Sequence, residues 1–164
     1  MVGVGARVER GGWCCRRWAP GRTVNQVWDN VMSATQKTGA AILDRQELDG
    51  LVDAIHHQYL SDPASTWWWN SLRVPSGTLA YGDRDGLSIL MDVLPEQSNV
   101  TLLVTNESAI PIGAVRGDAE QLHTIIADCP FFEFAIVPAS LDWILFDTHH
   151  NVLVGAGRLR TLRE

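Results

Sequence analysis

The segment "LDWILFD" (141–147) restricts the fold of this chain more than any other part of the sequence. In an extended strand, successive side chains point to opposite faces. Apolar residues here occupy both faces, with Trp143 on one and Ile144 and Phe146 on the other. A strand of this kind belongs inside a sheet that is covered on each side by helices, by tryptophan side chains or by a second protomer.

Two further strand patterns flank this segment. "FFEFAIV" (131–137) precedes it and "NVLVGAG" (151–157) follows it, each across a short turn. Three strands with such short connections predict an antiparallel meander. Shorter strand patterns lie upstream, within 78–81, 99–107 and 110–116. We therefore predict a mixed, mostly antiparallel sheet of about five strands that ends in a three-strand meander.

Four segments have the apolar spacing of amphipathic helices. The first begins after Thr23, and the second begins at Asp44, where Glu47 three residues later predicts a capping box. Two further helices are expected near 86–94 and 118–129. The predicted fold class is α+β, with two N-terminal helices packed against the sheet and the two further helices added to it.

The chain length fits a single domain, because 164 residues can bury one hydrophobic core but are few for two. Residues 1–22 mix glycine, arginine and tryptophan without periodicity and predict a poorly ordered tail, with an arm that contacts RNA or membrane as the alternative. Residues 23–157 form the predicted α+β domain, and residues 158–164 a frayed C-terminal tail.

The apolar runs of the sequence are too short for a membrane protein, which favours a cytoplasmic one. No run reaches the roughly 18 uncharged residues that a membrane helix needs. The N-terminus also lacks the apolar core of a secretory signal. The three cysteines form no Cys-x-x-Cys pair, which argues against a zinc or redox motif. We expect a cytoplasmic protein that binds no membrane.

Charge is unevenly distributed along the chain. The net charge is −6, yet the first 22 residues contribute +4. Between Thr23 and Gly157, five basic residues stand against seventeen acidic ones, a net of −12. Such a body repels the phosphates of nucleic acid and attracts basic partners. The simpler alternative is an acidic surface that only keeps the protein in solution.

Two adjacent histidines follow the central strand, in "THHN" (148–151). Their position between two strands predicts a hairpin turn, where polar residues are expected and histidine tolerates positive φ. The alternative is a catalytic or metal site built from Asp147, His149 and His150. Neighbouring side chains diverge on a strand, and they lie about 100° apart on a helix, as expected for the pair His56 and His57. The turn is therefore the preferred interpretation.

Three consecutive tryptophans, Trp67, Trp68 and Trp69, cannot all face one way on a helix or a strand. The simplest arrangement buries two in the core and leaves one at an edge. The functional alternative is an exposed aromatic anchor for a partner, since tryptophan is enriched at binding hot spots. The candidate binding residues of the whole chain are Trp67, Trp69, Trp143, Asp147, His149 and His150.

No segment nominates an enzyme. Lys37 is the only lysine, and it lies near the end of the first predicted helix. The sequence therefore contains no P-loop, and Lys37 is not placed in a motif that would make it a Schiff-base lysine. Nucleophile elbows, dinucleotide-binding glycine loops and the His-Glu-x-x-His motif are also missing from the sequence. We assign no catalytic residue, and we expect neither a metal nor a cofactor.

The C-terminal block resembles a family of uncharacterised small bacterial proteins. "FFEFAIVPASLDWILFDTHHNVLVGAG" is similar to their aromatic strand, Trp-Leu strand, His-His turn and Leu-x-Gly-x-Gly finish. "WWWNSL", "DGLSILMDVLP" and "VTLLVTNE" fit the same family in the same order, so the resemblance covers about residues 65–157. Trp143, His149 and His150 stand at its matching positions.

In size and acidity the chain is also broadly similar to immunity proteins of bacterial toxin systems, including the SMI1/KNR4-like group. That likeness implies a binding module in which the acidic body and a few aromatic residues, such as Trp67 and Trp143, cover a basic toxin. Two other hypotheses stay open. One is an enzyme or metal protein that uses the histidine turn, and the other is a homodimer or larger oligomer in which a second copy covers the central strand.

Overall fold

A seven-stranded antiparallel sheet with helices on both faces organises the chain in a computed structural model. The structure describes residues 23–74, 76–82, 86–94, 99–105 and 108–159. The predicted N-terminal tail and all but the first two residues of the predicted C-terminal tail lie outside these ranges.

The helices and strands follow the chain in a regular order. The helices are α1 (Val24–Thr38), α2 (Arg45–Tyr59), α3 (Gly86–Val93) and α4 (Ala119–Asp128), with a short 3-10 helix at Trp68–Ser71. The strands are β1 (Ala41–Ile42), β2 (Ser76–Ala80), β3 (Val100–Val104), β4 (Gly113–Gly117), β5 (Phe134–Pro138), β6 (Trp143–Thr148) and β7 (Val152–Gly157).

The strands lie in the order β1-β4-β3-β5-β6-β7-β2. Every pair is antiparallel, and β5, β6 and β7 form the predicted meander. The α+β class is therefore confirmed, with seven strands in place of about five and no parallel pair among them. β1 escaped prediction because two residues are too short to show a periodicity.

Both faces of the central strands are covered by the same chain. On one face, Trp143 and Leu145 of β6 belong to a core shared with residues of α1, α3 and α4. On the other, Ile144 and Phe146 pack in a second core with α2 and Trp68. Every residue of β6 is buried as a result. A second copy is not required to cover this strand, which removes the reason given above for an oligomer.

Local signals fixed the ends of the helices. Gly39 ends α1 with a left-handed φ of 74°, a conformation that favours glycine. The Asp44 carboxylate accepts a hydrogen bond from the Glu47 N–H at 2.9 Å, and Asp118 accepts one from Gln121 at 2.8 Å. The predicted capping box at Asp44 is thus confirmed, and Asp118 forms a second one.

Leu159 is buried in the first core, and the Arg158 N–H donates to the Asp142 carbonyl at 3.0 Å. The packed chain therefore continues two residues beyond the boundary predicted at Gly157. Among the described residues, no helix has both the length and the apolar character needed to cross a bilayer.

Tyr59 ties α2 to the turn between β5 and β6. Its hydroxyl donates to the Leu141 carbonyl at 2.5 Å, and the Gln58 amide donates to the same oxygen at 2.6 Å. Leu141 has a positive φ of 54°, a conformation that costs energy for a side chain of this size. Burial, aided by the negative charge of Asp142, raises the pKa of Tyr59 to about 12.

This shift predicts a loss of stability at alkaline pH. Because the folded state holds the Tyr59 proton more tightly than the unfolded state, the contribution is complete below the unfolded pKa of about 10 and is lost as pH rises toward about 12. Urea unfolding between pH 8 and pH 11.5 should show a steeper decline for the wild type than for Tyr59→Phe. Parallel curves for the two proteins would contradict this account.

Candidate functional site

The two adjacent histidines lie in the turn between β6 and β7, as predicted. Thr148 pairs with Val152 across the two strands, and the Asn151 N–H donates to the Thr148 carbonyl at 3.1 Å. The positive φ of this turn, 57°, belongs to Asn151, whereas we had expected a histidine to tolerate it. This geometry fits a three-residue hairpin loop that ends in a left-handed residue.

His149 is held by a fully buried carboxylate that we did not predict. Glu133 is 0% exposed, and its Oε1 lies 2.5 Å from His149 Nδ1. The same oxygen accepts the backbone N–H of His149 at 3.1 Å. A carboxylate inside a protein requires such donors, because burial without them is costly. Two contacts through one oxygen fix both the backbone and the ring of His149.

Strand register explains why Glu133 lies at this turn. Phe134 opens β5 and pairs with Asp147 near the end of β6, so the residue before Phe134 lies beside the residues that begin the turn. The Glu133 carbonyl accepts the Thr105 N–H at 3.2 Å, which continues the pairing with β3. Glu133 could have been identified from the sequence as a lone acid in the apolar run "FFEFAIV", where burial demands a partner.

The three tryptophans separate, but only one of them lies fully in the core, where we had expected two. Trp68 points inward, is 1% exposed, and donates from Nε1 to the Ala109 carbonyl at 3.1 Å. Trp69 is partly buried, and its ring lies 6.3 Å from that of Phe146 in β6. Trp67 is 41% exposed. One tryptophan therefore lies in the core, and two contribute to the surface or its margin.

Trp67, Trp69, His149 and His150 together form what we call the aromatic patch. The Trp67 and Trp69 ring centroids are 6.4 Å apart, and they lie 6.2 Å and 6.1 Å from that of His149. These spacings fall within the range of favourable aromatic pairs. The three rings therefore support one another, and His149 is further held by Glu133.

The His149 and His150 rings lie together, with centroids 3.9 Å apart. We had expected the two side chains to diverge, but that alternation applies to strands, and both residues belong to the turn. A metal site does not follow. Within the described ranges, no group of three or more histidine, cysteine, aspartate or glutamate side chains could hold a metal ion.

Asp147 and Trp143 do not join the aromatic patch. Asp147 is buried on the opposite face of the sheet, where its Oδ1 accepts the Tyr81 hydroxyl at 2.7 Å. The alternative in which Asp147 joins the histidines is therefore not what the structure shows, and Glu133 takes that position. Trp143 is only 3% exposed and belongs to the first core. It is unavailable to a partner, contrary to our expectation.

The second histidine pair divides as expected for adjacent helical residues. His57 is exposed, whereas the His56 ring packs edge-on against Trp68 with centroids 5.0 Å apart. Burial lowers the pKa of His56 below 6.5, against a smaller opposing effect of Asp53. His56 therefore acts as a neutral packing residue beneath the tryptophan segment.

The aromatic patch offers ring surfaces for non-covalent contacts. Its rings present π faces, which attract cationic groups and pack with other apolar or aromatic groups. Trp67 and His150 are the exposed members of the patch, and Glu133 acts through His149 as a positioning residue.

Removing the buried carboxylate should loosen this turn. We expect Glu133→Ala to lower the free energy of unfolding by about 1–3 kcal/mol, because the two His149 donors lose their acceptor. Glu133→Gln should cost less, since its amide oxygen can still accept. Urea unfolding would measure both, with Asp142→Asn, a half-exposed acid in a long 3.6 Å ion pair, as the control. An Ala variant as stable as that control would show that the contact contributes little.

Comparison with known proteins gives no relative for this chain. No family model matches it, and no curated protein or solved structure is significantly similar to it. Any proposal for its function therefore depends on the contacts described above.

Proposed function

We propose that this chain is a cytoplasmic binding module that recognises a basic protein, and more specifically an immunity-type protein that binds and neutralises a basic toxin. The observation that carries the proposal is the exposed Trp67 ring, supported by Trp69 and by a His149 ring that Glu133 holds in place.

An exposed tryptophan in fixed surroundings is well suited to recognition. Interface hot spots are enriched in tryptophan, tyrosine and arginine. Each side chain that becomes ordered on binding costs about 0.5–1.5 kcal/mol, and a ring that is already held avoids part of this cost. The ring contacts of Trp67 with Trp69 and His149 supply such support.

Charge specifies what kind of partner fits. Residues 23–157 carry a net charge of −12. Three of their five basic residues already lie in surface ion pairs, Lys37 with Asp128, Arg45 with Asp49, and Arg116 with Glu47. The acidic excess favours encounter with a basic surface and disfavours nucleic acid. Arginine or lysine side chains of that surface can also stack on Trp67.

A second candidate function follows from the Glu133–His149 contact. A carboxylate that fixes an imidazole through Nδ1 also orients histidines that act as general bases or metal ligands. An enzyme or metal protein built on His149 and His150 therefore stays as the alternative. Metal analysis of the purified protein, with His150→Ala as the control, distinguishes it from the binding module.

The first step in testing the binding proposal is to find whether a basic protein is encoded beside this chain in its genome, and to purify it as the partner. We expect the two to associate, and Trp67→Ala to weaken the affinity by about 2 kcal/mol or more, the size of a hot-spot effect. Trp67→Phe should retain part of the affinity because it keeps a ring. Ile42→Ala is the matched control, since Ile42 is 44% exposed on β1 at the far side of the sheet.

Isothermal titration calorimetry at several salt concentrations would measure these affinities. The affinity should fall as salt increases, because salt screens the charges that steer association. Association that ignores salt, equal losses for Trp67→Ala and Ile42→Ala, or a genomic neighbourhood that encodes no basic protein would contradict the proposal.

A further inference from the structure

Strand β2 lies at one edge of the sheet. It pairs with β7 through five consecutive residues, from Ser76 opposite Ala156 to Ala80 opposite Val152. β2 is the last strand in the sheet order, so no further strand of the described chain covers its outer side.

Hydrogen bonding fixes which backbone groups of β2 point outward. The Tyr81 N–H, directly after the strand, donates to the Asn151 carbonyl at 3.0 Å. In an antiparallel pair, residues alternate between facing the neighbouring strand and facing away from it. Leu79 and Gly77 therefore face β7, whereas Thr78 and Ser76 turn their N–H and C=O groups to the open side. Ser76 and Thr78 are also exposed, and Gly77 and Leu79 are partly buried.

The five described residues of β2 carry none of the features that usually protect a sheet edge. Natural edges are blocked by charged side chains, by proline, by bulges or by very short strands. β2 reads Ser-Gly-Thr-Leu-Ala, without charge, proline or interruption of its register. β1, at the opposite edge, is only two residues long. β2 is thus the edge that a further strand could use.

The Thr78 side chain and the Trp69 ring of the aromatic patch lie on the same face of the sheet. Thr78 pairs with Val154, which belongs to the second core together with Phe146, and Trp69 packs on that core. β2 also ends at the histidine turn, since Asn151 accepts the Tyr81 N–H and its side-chain amide donates to the Gly82 carbonyl at 3.0 Å. A chain lying along β2 therefore approaches the end of the molecule that carries His149 and His150.

We infer that β2 accepts an extended, basic segment of the partner protein as an eighth strand. This inference rests on the proposed function, because it specifies how the basic partner is held. Strand addition supplies main-chain hydrogen bonds through Ser76 and Thr78, and the partner's side chains supply specificity. The occupant is basic because residues 23–157, the domain that carries this edge, have a net charge of −12 as a whole, which attracts basic segments.

A nine-residue peptide of alternating lysine and valine, acetylated and amidated, serves as the probe. Amide hydrogen exchange followed by NMR should show the alternation directly. In the free protein, Ser76 and Thr78 exchange rapidly while Gly77 and Leu79 are protected. On peptide binding, the Ser76 and Thr78 amides should slow by about tenfold or more, because they gain carbonyl acceptors.

Two substitutions of Thr78 distinguish the contribution of its backbone N–H to peptide binding from that of its side chain. Thr78→Pro removes an outward N–H that β7 does not use, and should weaken peptide binding by about tenfold. Thr78→Val keeps the N–H and should bind as the wild type does. A peptide with N-methyl groups on alternate residues should fail to bind. If Thr78→Pro lowers the melting temperature, strand addition is still tested by two measurements on the wild type: the exchange rates of Ser76 and Thr78, and binding of the methylated peptide.

Several results would overturn the inference: no binding of the unmethylated peptide, equal binding to Thr78→Pro, or unchanged exchange at Ser76 and Thr78. Concentration-dependent protection of Thr78 without peptide would also overturn it, since a second copy would then occupy the edge. If Trp67→Ala weakens binding of the partner protein but Thr78→Pro does not, the inference fails while the proposed function stands. If neither substitution weakens binding, the proposed function fails as well.

Discussion

The fold depends on covering a sheet that is apolar on both faces. β3, β5 and β6 are buried along their whole length, so neither face can be left to water. Helices α1, α3 and α4 cover one face, and α2 with the buried Trp68 covers the other. Apolar burial stabilises a protein by roughly 25 cal/mol per Å², so each cover contributes strongly to the fold. One chain supplies both covers, and a second copy is not needed to complete the core.

The packing of α2 and Trp68 on the second face determines where the aromatic patch lies. Because Trp68 must point into the core, its neighbours Trp67 and Trp69 turn toward the surface, beside the end of β6. The register of β5 against β6 brings Glu133 to the same place, where it holds His149. The aromatic patch is thus a consequence of how the sheet is built and covered. Its exposed ring lies on an acidic body, and this combination suits a basic partner.

Local chemistry made the helices and the meander predictable. The capping residues Asp44 and Asp118 act within three residues of themselves, and the alternation in β6 is visible in one segment. Contacts between residues far apart in the chain produce no such local sequence pattern. Glu133 and His149 lie 16 residues apart and meet only through strand register, so the sequence offered only the nearby Asp147 as a possible partner. β1 is too short to show a period. The interior-strand pattern of β6 did indicate that Trp143 is buried, and naming it as a binding residue conflicted with that pattern.

The central claim is that a buried carboxylate fixes the histidine turn, so that the aromatic patch is a preformed surface for recognition. Nitrogen-15 NMR of the His149 side chain tests it most directly. We predict a proton on Nδ1 that exchanges slowly with water, because it is donated to the Glu133 carboxylate, and a loss of that protection in Glu133→Ala. A His149 ring whose Nδ1 proton exchanges as fast in the wild type as in Glu133→Ala would contradict the claim.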